Sequence, residues 1–106
     1  MKRTARQLII QFEINEADTF ESLYAIEETL IQAFSQNRYA DVDGHDIGQG
    51  RFNIFIIPNG AWGPVIERVE AFLKLRKALD RAVIAKSLPS GLRVIRPADY
   101  SGTFEF

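Results

Sequence analysis

The chain has 106 residues, 46% of them hydrophobic and 25% charged, with four prolines and seven glycines; this is the make-up of one ordinary globular domain and excludes a disordered tail, a collagen-like rod or a low-complexity linker. The absence of cysteine excludes a disulfide framework, a thiolate metal site and a cysteine nucleophile, and the single histidine, His45, excludes any site built on two imidazoles. The formal net charge of −1 hides a polarised distribution: residues 13–46 hold nine acids against one base, Arg38, whereas residues 66–96 hold eight bases against three acids.

The chain starts with a basic segment, Met1 to Gln7, but the apolar run Leu8-Ile9-Ile10 stops at Gln11. A secretory signal needs roughly 7–15 apolar residues there, and a membrane span needs roughly 20. A soluble, cytoplasmic protein with no membrane partner is expected. From Ile10 the residues alternate, with Ile10, Phe12 and Ile14 on one side and Gln11 and Glu13 on the other, which is strand periodicity. Ala17-Asp18-Thr19 then provides a helix start, with Asp18 and Glu21 spaced as in a capping box. Phe20, Leu23, Ile26 or Glu27, Leu30, Ile31 and Phe34 recur every three or four residues. They predict an amphipathic helix carrying Glu21 and Glu28 on or beside its wet side and ending at Ser35-Gln36-Asn37.

Tyr39 to Ile57 predicts a hairpin. Its turn is Gly48-Gln49-Gly50, where glycine permits the positive φ of tight connections, and its second arm, Arg51 to Ile57, is rich in aromatic and β-branched residues. Asn53 interrupts that apolar arm. It faces His45 if the loop has three residues and Asp46 if it has two, and in either case it should bond a side chain of the Asp43–Asp46 segment. Pro58-Asn59-Gly60 breaks the strand, and a second helix starts near Gly63-Pro64. Leu79, Val83 and Ile84 could prolong that helix to Lys86. The β-branched pair Val83-Ile84 and the turn residues Pro89-Ser90-Gly91 favour instead a strand over 82–87 followed by another over 92–96. Ala98 to Phe106 is expected as a short edge strand or a loose end.

The order strand, helix, strand, strand, helix, strand predicts an α+β protein. Two right-handed crossovers interlocked about a central hairpin give a ferredoxin-like βαββαβ sandwich, an antiparallel sheet with both helices on one face, with room for an extra C-terminal strand. Such a fold hosts unrelated functions, so chemistry must be sought in particular residues.

The densest polar segment is Asp41-Val42-Asp43-Gly44-His45-Asp46. It is not a calcium loop, because Phe52 stands where the bidentate glutamate belongs. Fully extended, Asp41, Asp43 and His45 would share a face and could gather a divalent ion; the commoner task of such residues is to shape and solvate a hairpin arm. No metal and no cofactor is expected. Asp43 and Asp46 could orient His45 as a general base, yet no serine nucleophile adjoins them, and catalysis stands as the alternative reading. Gly48-Gln49-Gly50-Arg51 leads into a strand and not a helix, so it makes no phosphate cradle. The strand after it lacks the Lys/Arg-Gly opening of RNA-binding sheets, and a sequence pI near 5.8 argues against nucleic acid. Phe52 and Phe55 fall on opposite faces, one in the core and the other at a stacking or interface position. Trp62, between Ala61 and Gly63, is either a staple on the first helical turn or an exposed interface anchor.

The charge asymmetry has two readings. The halves neutralise each other as solvated surface, or the acidic helix and hairpin meet a basic protein partner, with Glu21, Glu28, Asp41, Asp43, His45, Asp46 and Trp62 as the contact residues. A ligand-sensing domain that dimerises through its sheet is a third possibility. The run Val42-Asp43-Gly44-His45-Asp46-Ile47-Gly48-Gln49-Gly50-Arg51-Phe52-Asn53-Ile54-Phe55-Ile56 resembles a hairpin of small, uncharacterised bacterial proteins of about this length, loosely associated with immunity proteins that neutralise secreted toxins. The resemblance implies a protein partner and supplies no catalytic residues; residues 83–106 depart from the pattern.

Overall fold

A computed structural model describes residues 6–14 and 20–106. The expected cap at Asp18 and the basic residues Lys2 and Arg3 lie outside the described residues. The elements are β1 (Gln7–Glu13), α1 (Phe20–Asn37), β2 (Ala40–Gly48), β3 (Arg51–Pro58), α2 (Trp62–Leu75), a short 3-10 turn (Leu79–Arg81), β4 (Val83–Leu88) and β5 (Gly91–Arg96). All five strands join one antiparallel sheet in the order β2-β3-β1-β4-β5. The protein is therefore α+β, with two helices and a five-stranded sheet.

Register explains burial. On one face, Leu8, Ile10 and Phe12 of β1 join Phe52, Ile54 and Ile56 of β3 and Ile84 of β4. Leu23, Ile26, Leu30 and Phe34 of α1 and Val65, Val69 and Leu73 of α2 close over them, so both helices cover the same side. The opposite face has a smaller apolar group: Ile9, Phe55 and Ala85, with Phe104 seated on them. The uninterrupted run Leu8-Ile9-Ile10 follows from this arrangement, since a central strand covered on both faces has no reason to alternate.

Each helix ends where the backbone turns left-handed. Arg38 has φ 61° and its N–H reaches the carbonyl of Phe34 at 3.1 Å. Lys77 has φ 58°, and the following Ala78 N–H bonds the Leu73 carbonyl at 2.8 Å, closing off α2 well before Lys86. Val83 and Ile84 are then free to form β4, as their branching favours. The C-terminal tail is neither an edge strand nor a loose end. It crosses the face opposite the helices, where Phe106 lies 5.9 Å from the Phe55 ring and 5.6 Å from Phe104. Both phenylalanines of the hairpin are thus internal: Phe52 under the helices, Phe55 under the tail.

Candidate functional site

The sheet-facing stripe of α1 contains one charged residue. Glu27 stands four residues after Leu23 and three before Leu30, so helical geometry aims its carboxylate at the sheet, and the residue is only 8% exposed. The side chain that meets it is the lone histidine. His45 lies opposite Ile54 on edge strand β2, on the helix-covered face. Its Nδ1 is 2.8 Å from Glu27 Oε1 and 2.9 Å from Oε2. A carboxylate only accepts, so Nδ1 carries the hydrogen and donates it, and Nε2 is the nitrogen left for an outside group.

Aromatic rings hold the imidazole from the other sides. His45 stacks on Phe52 with centroids 5.0 Å apart and planes 13° from parallel. Tyr24 leans on both, at 5.1 Å from His45 and 5.7 Å from Phe52. Phe20, at the start of α1, lies 6.4 Å from Tyr24. The rings form a ladder from the buried Phe52 outward to Tyr24 and Phe20, which are 43% and 51% exposed. Ile47, two residues beyond His45 on the same strand, is also exposed. Large apolar groups around a fixed polar pair, open to solvent, have the anatomy of an interface centre.

The aspartates of the hairpin do not join His45. A β-bulge between Val42 and Gly44 breaks the alternation, with Gly44 at φ 135°, a conformation other residues rarely adopt. Asp41 pairs with Ile57 and Asp46 with Asn53, which turns both toward the face of Ile9 and Phe55. Asp43 accepts from Gln7 Nε2 at 3.4 Å. Asp46 accepts from Asn53 Nδ2 at 3.0 Å. The face that Asp41, Asp43 and His45 would share in a fully extended arm is therefore not formed, and neither Asp43 nor Asp46 orients the imidazole; Glu27 does that instead. Among the described residues no group of three or more His, Cys, Asp or Glu side chains is gathered for a metal ion.

Asn53 does bond into the Asp43–Asp46 segment, as its position in the apolar arm led us to expect. The turn has two residues, Gln49 and Gly50, both with positive φ, which sets Asp46 and not His45 opposite Asn53. Gln11 Nε2 donates to Asn53 Oδ1 at 2.9 Å and to the Glu105 carbonyl at 2.5 Å. One buried amide thus ties β1, β3 and the tail together.

Glu21 is exposed in the first turn of α1, and Glu28 accepts from Gln32 Nε2 at 3.3 Å on the same helix. Asp41 and Asp43 are exposed on the opposite side of β2. The acids form a band around the β2 edge and not a single face. Trp62 opens α2 at the other end of the sheet from the Gln49-Gly50 turn. It is half-buried against the core, with Arg6 at 4.8 Å and Lys86 at 5.2 Å from its ring centre. Glu27 and Tyr24 were the residues that patterning missed. The available signal was a carboxylate on an otherwise apolar helical stripe in a chain with one histidine. Compared with protein families, with curated proteins and with solved structures, the chain matches none.

Proposed function

We propose that the chain is a small protein-binding domain whose contact surface runs along the β2 edge and the adjoining side of α1, and that its partner is basic. The observation that carries this reading is the exposed set Phe20, Tyr24 and Ile47 around the half-buried His45–Glu27 pair. Aromatic side chains at the centre of a patch supply most binding energy, and the acids Glu21, Glu28, Asp41 and Asp43 around the edge strand would steer a cationic partner toward it. An immunity protein that neutralises a basic toxin in the cytoplasm is the specific form of this proposal, in keeping with the hairpin resemblance. We read the core as a ferredoxin-like sandwich, β1 through β4 with both helices, to which β5 adds an edge; the order β2-β3-β1-β4 supports this.

The experiment is co-elution of the purified chain with the purified product of the adjacent gene, comparing Tyr24→Ala and Glu21→Lys/Glu28→Lys with wild type. A complex lost in both variants, with circular dichroism unchanged, supports the reading. A complex that both variants form as well as wild type overturns it. Catalysis, the second reading, has one observation in its favour, the carboxylate that fixes the His45 tautomer.

A further inference from the structure

The sheet is open, and its two edges carry opposite charge. β2 ends it on one side and β5 on the other, so each offers backbone N–H and C=O groups with no neighbouring strand. On β2, Asp41 and Asp43 are exposed. Asp43 bonds the neutral amide of Gln7, and among the described residues neither carboxylate has a base within ion-pairing distance. On β5, Arg93 is exposed and stands directly opposite Lys86 of β4. Like charges in that position destabilise a strand pair, and among the described residues no carboxylate lies within ion-pairing distance of either. Arg96 is already matched by Glu70 at 3.5 Å and adds nothing to the excess.

These charges select among the ways two edges can meet. β2 against β2 sets carboxylates against carboxylates, and β5 against β5 sets cations against cations; only β2 against β5 is attractive. The faces then fix the orientation. Every neighbouring pair in the sheet is antiparallel, so β2 and β5 run the same way within one chain. Asp41 and Asp43 turn toward the face of Ile9 and Phe55, whereas Arg93, like Lys86 near Trp62, lies on the helix-covered face. A second copy shifted sideways without rotation would leave its arginine and these aspartates on opposite sides of the joined sheet. Turning that copy over, about an axis across the strands, makes the pairing antiparallel and brings them to the same side. The same turn brings Leu92 of β5 to the side of Ile47 on β2, and both are exposed apolar side chains. We propose that the β2 edge accepts the β5 edge of a second copy, antiparallel and with faces reversed, so that the chain associates head to tail. Each pairing leaves one β2 and one β5 edge open, and the sheet continues from copy to copy. The inference rests on the reading that the β2 edge meets a cationic partner, and it names that partner's surface.

The test is sedimentation equilibrium of the full chain from micromolar to millimolar concentration. The weight-average mass should rise with concentration at low salt and fall back toward the monomer as salt rises. Arg93→Glu has two acidic edges and Asp41→Lys/Asp43→Lys two basic ones, so each alone should stay monomeric with unchanged circular dichroism. An equal mixture of the two should associate again, because each then offers the edge that the other lacks. A mixture that stays monomeric while wild type associates overturns the pairing. Amide NMR of wild type gives a reading that needs no variant: dilution should shift the amides of β2 and β5, and shifts confined to other elements overturn it. A chain that stays monomeric at every concentration, yet binds the product of the adjacent gene, overturns this inference and leaves the partner-binding reading standing. A chain that binds neither overturns both.

Discussion

A carboxylate on the sheet-facing side of a helix has to find a donor, and Glu27 finds the only imidazole in the chain. The pair is more costly to break than to lack. Removing His45 leaves a nearly buried carboxylate without its donor, whereas replacing both partners by apolar residues of similar size removes the need for one. His45→Ala should therefore cost about 1–3 kcal/mol, and Glu27→Leu/His45→Leu should recover part of that loss. Urea titration of the two variants checks the order; a double variant less stable than His45→Ala would show that the Glu27–His45 hydrogen bond itself carries the stability. Asn53 stands in a similar position on the other face. It donates to Asp46 and accepts from Gln11 while 1% exposed, so Asn53→Ala, which removes both bonds from a buried site, should cost about 1–3 kcal/mol. An unchanged denaturation midpoint would show that water replaces both bonds.

Among the elements, the β2–β3 turn departs from the residues its geometry prefers. Gln49 has φ 55° and Gly50 φ 75°, a pair of left-handed residues for which Asn-Gly is the favoured sequence. Gln49→Asn should stabilise the protein by up to about 1 kcal/mol, since asparagine tolerates the left-handed region better. Gly50→Ala should destabilise it through backbone strain alone, because a Cβ there meets nothing within 4 Å. Thermal melts of the two variants should move in opposite directions. The tail offers a larger effect: Phe104→Ala removes a ring that is 8% exposed and should cost about 3 kcal/mol. The elements differ in how far they could be read from sequence. The strand β3, the two-residue turn option and the β4–β5 hairpin are local matters of branching, glycine and proline, and they were legible. The bulge at Asp43 was announced only by Gly44 inside a strand pattern, and missing it misplaced two aspartates, Asp41 and Asp43, relative to His45. The Glu27–His45 bond and the seat of the tail on Phe55 join residues 18 and more positions apart, which periodicity does not address.

At the scale of the molecule, the described acids of the N-terminal half do not gather on one face. Three acids and no base lie along α1, one of them, Glu27, consumed internally by His45, while Asp41, Asp43 and Asp46 turn to the other side of the edge strand. The basic partner we propose would therefore sense two separate groups of charge at the β2 edge, only one of which adjoins the exposed rings of Phe20 and Tyr24. At physiological ionic strength the screening length is about 8 Å, so each group acts mainly on what docks beside it. If the rings are the centre of the contact, reversing Glu21 and Glu28 to lysine should slow association more than reversing Asp41, and both effects should fade as salt rises. Tyr24→Ala should act chiefly on dissociation, because the loss of an anchor shortens the complex's life without changing long-range attraction. Stopped-flow or surface-plasmon rates at two salt concentrations separate these contributions. An Asp41→Lys effect as large as that of the α1 reversal would move the contact to the far side of β2, and the ring ladder on α1 would then be packing around the Glu27–His45 pair and nothing more.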